Sequence, residues 1–391
     1  MNLKNYDYVI IGSILTCHFI YLGNFSNLFF YEIYDYYLQT GNHLRDFFWY
    51  PSNALINKIN VFDTYLKEYN SSSFPPGYPP PNYSLLHTLI FIFFGVLPLP
   101  VARIFYLFTN LILLFFIYKQ LKNICLNNNI IFFLFCLFLF SPTLILCLKM
   151  GQYTIFCLWG FVTYFNNNKL FFKFLGLLIA TAKYTFAPII GLYLLFEKKF
   201  MMFFFLITSN VFAVLFYSIY FEINFFNALI NPILMGWKTQ ATGAGDLLSY
   251  LGNHPKFPFN VIIVLLVFFL LKYLIYFNSK RSAIYDLTVV CILTLMSLKH
   301  LSYDYIFIFP ATLMLLEKIS LKSKIILMII IFYYLFILPW SIIEPIRYTK
   351  TLIFFNMTIN FILLLIVLAP EIKNKYYKII IKYLQYCKIK I

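Results

Sequence analysis

Leu170-Phe171-Phe172-Lys173-Phe174-Leu175-Gly176-Leu177-Leu178-Ile179-Ala180-Thr181-Ala182-Lys183-Tyr184-Thr185-Phe186-Ala187-Pro188-Ile189-Ile190-Gly191-Leu192-Tyr193-Leu194-Leu195-Phe196 is the stretch on which the topology turns. As one helix it would run about 40 Å, well beyond the roughly 30 Å of a hydrocarbon core. Its middle holds Lys183, Tyr184 and Pro188. A cation is costly at bilayer depth, and proline removes a backbone donor. The sequence therefore predicts two short spans that meet near Lys183 at a polar surface. Whether the chain crosses once or twice here decides which side every later loop faces.

The rest of the chain fits a membrane setting. Of its 391 residues, 62% are hydrophobic and 11% charged, which excludes an ordinary soluble domain. Apolar runs near 7–23, 101–118, 130–147, 152–165, 200–221, 259–277, 284–299, 304–316, 325–343 and 351–369 each read as a span of an all-α polytopic membrane protein. The segment 83–98, ending in Leu97-Pro98-Leu99-Pro100, could cross the membrane or lie in the interface. Aromatics reach 22%, mostly Phe and Tyr. With the abundant Asn, Lys and Ile, this excess is read as the bias of an AT-rich genome, so no aromatic cluster is taken as a binding site by itself.

Charge selects among the topologies. With a cytoplasmic N-terminus and 83–98 not crossing, Lys119, Lys122, Lys169, Lys173, Lys198, Lys199, Lys280, Arg281, Lys318, Lys322 and Lys324 all fall inside. So do the tail lysines from Lys373 to Lys390. That assignment obeys the positive-inside rule with about twelve spans and both termini in the cytoplasm. Membrane lipids then account for the net charge of +16, and no nucleic-acid partner is implied. Residues 1–391 read as a single integral-membrane domain. Its core covers about 7–310, its C-terminal spans 311–370 and its basic cytoplasmic tail 371–391. The seven cysteines include no CxxC pair, so neither a zinc site nor a disulfide framework is indicated. Tyr8 to Leu22 lacks a small-residue cleavage site and reads as a first anchor.

The same topology gathers the unexplained polar residues on the outer face. Asp35 lies just past the first span, with Glu32 three residues earlier and Tyr36 beside it. A carboxylate in a partly dry pocket can act as a general base, although an acid at the interface can equally point into water. Lys149-Met150-Gly151-Gln152-Tyr153 offers a close backbone approach at Gly151 and an amide at Gln152, or simply a tight turn. Lys183 can meet an anion or snorkel to the headgroups. Lys299-His300-Leu301-Ser302-Tyr303-Asp304-Tyr305 forms a further island whose His and Lys suit a phosphate. The glycine-rich loop Gly236 to Asp246 could be a lid or a plain connection. Walker, GxGxxG, HExxH and GxSxG motifs are absent.

Taken in order, these islands resemble the GT-C membrane glycosyltransferases, and more narrowly the polyprenyl-phosphate-mannose-dependent mannosyltransferases of glycosyltransferase family 87. Asp35-Tyr36-Tyr37 matches the family's first outer-loop acid, and Tyr78-Pro79-Pro80-Pro81 its proline-rich stretch. Arg103 matches the arginine that opens the next span. Ser141-Pro142 with Gly151-Gln152, Gly176 with Lys183 and Pro188, and His300 with Tyr303 and Asp304 follow in sequence. Gln240-Ala241-Thr242-Gly243 departs from the family's usual Asn-Gln-Ser.

The resemblance implies an inverting transfer of a hexose, with mannose the expected sugar, from polyprenyl phosphate to a glycolipid or glycan acceptor. Asp35 would be the general base. Tyr36, Arg103, Gly151, Gln152, Lys183, His300, Tyr303 and Asp304 would bind substrate, and no metal or cofactor is implied. The expected setting is a bacterial cytoplasmic membrane with the active site facing outward. The alternative is a lipid-linked sugar flippase or similar transporter, which should place charges along a path reaching both leaflets. A structural scaffold predicts no convergence of polar residues.

Overall fold

The computed structural model describes residues 8–16, 49–62, 84–124, 128–183, 186–238, 282–297, 302–313, 321–338 and 350–386. All regular structure among them is helical, with no strand. Three of the described helices are long and apolar enough to cross a membrane: Leu99–Asn123, Phe200–Tyr220 and Thr351–Ala369. The bent pair Asn129–Leu139 and Pro142–Leu148 makes a fourth if it is counted as one span. The described residues are thus all-α, with helices long and apolar enough for a membrane protein.

Several helices differ from the lengths expected of them. The span near 130–147 is broken by a 57° bend. Proline explains the break: Pro142 has no N–H to give to the Phe138 carbonyl one turn back. The Ser141 hydroxyl donates to that carbonyl instead, at 2.7 Å, and accepts from the Leu144 N–H to cap the next helix. The segment 83–98 does not form a crossing helix. It is two short helices, Leu85–Ile90 and Ile92–Val96, of six and five residues. The span near 304–316 begins as a 3-10 helix, Ser302–Ile308, before continuing as Phe309–Leu313. The last helix runs on through the lysine-bearing tail, from Lys350 to Tyr386.

The opening stretch folds as two helices, Leu170–Thr181 and Ala187–Phe196. They run in opposite directions. Near the end of the first, the Ile179 carbonyl accepts from Tyr153. Near the end of the second, Tyr193 packs on Phe165, with ring centroids 5.2 Å apart, at the far end of Thr154–Asn166. Leu170–Thr181 and Thr154–Asn166 approach closely, crossing at Gly160 and Gly176. A Cβ on Gly160 would sit 2.6 Å from the Gly176 carbonyl oxygen, so only glycine allows this separation.

Two apolar cores are stacked along Phe200–Tyr220. Its first half gives Met202 and Leu206 to the larger core and faces Gly191 of Ala187–Phe196. Its second half gives Ala213, Val214 and Tyr217 to a smaller core with Ala54, Leu55, Leu85, Leu86 and Ala228. The physical cause is length. Ala187–Phe196 spans about 15 Å and Phe200–Tyr220 about 31 Å. The shorter helix ends half-way along its neighbour, and short helices from 49–62 and 84–97 fill the space beyond it. Trp49 Nε1 donates to the Leu97 carbonyl at 2.7 Å, and Asn53 Nδ2 to that of Gly95 at 3.0 Å. Lys183 lies in the turn at the boundary between the two cores.

Candidate functional site

The site forms where three turns meet. The first is the break after Thr181, where the Ala182 carbonyl accepts a 2.6 Å hydrogen bond from Ser84 Oγ. Ser84 also caps Leu85–Ile90 by accepting from the His87 N–H. The second is Gly151-Gln152-Tyr153. Gly151 takes φ 67°, and the Gly151 and Gln152 N–H groups donate to the Leu148 and Cys147 carbonyls. That pairing is a Schellman ending, in which the left-handed residue is most cheaply glycine. The third is the start of Ser302–Ile308, which carries Asp304.

At their meeting point Lys183 Nζ donates to Asp304 Oδ1 at 2.6 Å. Thr154 Oγ1 donates to the same oxygen at 2.5 Å. Lys183 Nζ also stands 4.8 Å from the centroid of the Phe186 ring. Both charges are withdrawn from solvent, with Lys183 8% and Asp304 1% exposed. A buried pair of this kind is held by geometry and by hydrogen bonds to its members, because each charge alone would be costly there.

Around the pair lies an aromatic wall. His87 packs edge-on against Tyr153, with ring centroids 4.6 Å apart, and against Phe91. Tyr153 fixes its own place by donating to the Ile179 carbonyl at 2.7 Å. Burial holds the His87 imidazole well below its usual pKa, and the charge of Lys183 acts in the same direction. His87 is therefore neutral at physiological pH. Beneath the wall the Tyr106 hydroxyl is shared between the Gly151 and Gln152 carbonyls, at 2.9 and 2.8 Å. Arg103 is buried three residues earlier on the same side of that helix.

Of the residues the sequence singled out, Gly151, Gln152, Lys183 and Asp304 are brought to this end, with Arg103 on the adjoining helix. The anion that Lys183 meets is the protein's own Asp304. Asp304 itself is the buried counter-ion of Lys183. Gln152 is 1% exposed and lies beneath the site with its carbonyl engaged. Tyr303 falls in Ser302–Ile308 beside Asp304. Asp35, Tyr36 and His300 lie outside the described residues. Sequence reasoning missed His87, Tyr106 and Thr154, and named Tyr153 only as the end of the Gly151-Gln152 stretch. Only His87 left a signal, as a histidine three residues after a capping serine. Among the described residues, no group of three His, Cys, Asp or Glu side chains gathers as metal ligands would.

A second Lys–Asp arrangement marks the opposite end of the same helices. Tyr193 donates to Asp286 Oδ2 at 2.8 Å, and Lys199 Nζ donates to the Tyr193 hydroxyl at 3.2 Å. Lys199 also lies over the Tyr193 and Tyr164 rings. Comparison with known proteins finds no matching family model, no similar curated protein and no similar solved structure.

Proposed function

We propose that the protein transfers a hexose from polyprenyl phosphate to a glycolipid or glycan acceptor at the meeting of turns that carries Lys183. The observation that supports this reading is convergence. Gly151, Gln152, Lys183 and Asp304, up to 153 positions apart, meet at one end. Lys199 and Asp286 form a separate arrangement at the other end, joined through Tyr193. Lys183 and Asp304 are buried and fixed on each other whereas Lys199 is exposed, and a site confined to the buried pair suits an enzyme better than a transporter.

In this reading the chain has about twelve spans with both termini in the cytoplasm, and the Lys183 end faces outward in a bacterial cytoplasmic membrane. The reversal between Leu170–Thr181 and Ala187–Phe196, which returns the chain to the side it came from, supports that parity. Asp35 removes the proton from the acceptor hydroxyl as its oxygen attacks the anomeric carbon. The bond from that carbon to the lipid phosphate breaks, and the phosphate leaves with an added negative charge. Lys183 stabilises that charge, and His300 assists. Asp304 and Thr154 hold the ammonium in place beforehand, so little reorganisation is needed when charge develops.

The test is incubation of the purified protein with radiolabelled polyprenyl-phosphate hexoses and a native lipid extract. Labelled product from one donor is expected. Replacement of Asp35 by Asn should lower transfer by about 10² to 10⁴-fold, the usual worth of base catalysis, with the fold intact. Near-normal turnover in that variant removes Asp35 from the mechanism.

A further inference from the structure

The helix Phe225–Lys238 follows Phe200–Tyr220 after a short turn. The turn is firmly built. Glu222 adopts φ 53°, the Ile223 N–H donates to the Ser218 carbonyl at 3.0 Å, and Ser218 Oγ donates to the Ile223 carbonyl at 2.6 Å. It falls where a helix of 21 residues has covered about the thickness of a hydrocarbon core. The chain thus changes direction about one hydrocarbon thickness from the start of that helix.

The helix that follows has three distinct sides. At 100° per residue, Ala228 and Pro232 share one side and are buried, Ala228 within the smaller core. Phe226, Leu229 and Ile230 share the second and are 66%, 41% and 43% exposed. Asn224, Asn227 and Asn231 share the third. Its 14 residues span about 21 Å, too short to cross, and Pro232 interrupts its interior. Phe200–Tyr220, which leads into this helix, also presents exposed apolar side chains, among them Phe212, Leu215 and Ile219.

We propose that Phe225–Lys238 lies in the plane of the membrane, with the Phe226–Ile230 edge seated among lipid acyl chains and the asparagine edge in water. The occupant of the apolar edge is lipid, because the helix leading into it, Phe200–Tyr220, is long and apolar enough to cross a membrane and its own exposed side chains are apolar. Such helices embed about 5–10 Å below the headgroup boundary. This placement rests on the membrane fold and stands apart from the sugar-transfer reading. Through Ala228 and the smaller core, the helix supports Leu85 and Leu86, whose neighbour Ser84 holds the Lys183 turn.

The test uses the full chain in phosphatidylcholine–phosphatidylglycerol vesicles, with nitroxide labels on Phe226→Cys, Asn227→Cys, Ile230→Cys and Asn231→Cys. The wild-type chain provides the background from native cysteines. Collision with oxygen and with a water-soluble nickel chelate reports depth. Positions 226 and 230 should lie roughly 5–10 Å below the phosphates, with 227 and 231 at or above them. Equal nickel exposure at all four overturns the proposal in favour of a helix in water. A steady increase in depth along the helix overturns it in favour of a crossing. Shielding of 226 and 230 from both reagents overturns it in favour of a protein partner.

Discussion

Thr154–Asn166 and Ala187–Phe196 carry a lysine–aspartate arrangement at each end, and the two are built differently. At one end Lys183 touches Asp304 directly, both buried, with Thr154 completing the contact. At the other, Tyr193 stands between an exposed Lys199 and a half-buried Asp286. Water can serve either charge at the Lys199 end, so that arrangement tolerates damage. At the Lys183 end each charge depends on its partner. Strict mutual dependence suits a group that must be held in one position, whereas a solvated rim only needs charge of the right sign.

The difference can be broken most forcefully at Asp304. Asp304→Ala leaves a buried ammonium uncompensated and should cost about 3–5 kcal/mol in thermal unfolding of the purified protein. Lys183→Met with Asp304→Leu removes both charges and should recover most of that loss. The two ends are kept in register by the crossing between them. Gly160→Val forces a side chain against the Gly176 carbonyl and should destabilise by about 1–3 kcal/mol.

Acid should act through the Lys183 end. The folded pKa of His87 lies below its unfolded value, so at acid pH the unfolded chain binds a proton that the folded chain does not. The contribution of His87 to stability is full above about pH 6.5. Below that it falls by about 1.4 kcal/mol per pH unit, until the folded pKa is reached. His87→Phe should flatten this part of a stability–pH curve. The smallest effect belongs to the far end, where Lys199→Gln should cost less than about 1 kcal/mol. A loss at Lys199 as large as that at Asp304 would erase the distinction between the ends.

Much of this was legible in the sequence because membrane helices are written in long apolar runs. The division of 170–196 followed from length, Lys183 and Pro188 alone. Gly151 announced its turn, since a left-handed residue ending a helix is usually glycine. The bend at Ser141-Pro142 was written in the proline, but an apolar run that continues through it reads as one span. The pairing of Lys183 with Asp304 was not legible, because no local pattern links residues 121 positions apart. Tyr106 was hidden by abundance: among 33 tyrosines nothing marks it as one whose hydroxyl bonds to turn carbonyls.

Sugar transfer by the Lys183→Met/Asp304→Leu protein tests the central claim most directly, because that variant separates the chemistry of Lys183 from its part in folding. With labelled polyprenyl-phosphate hexose, the wild type should form product and the folded double variant should form about 10²-fold less or lower, the typical loss when one electrostatic group is removed. A folded double variant that transfers within a few-fold of wild type would contradict the role given to Lys183.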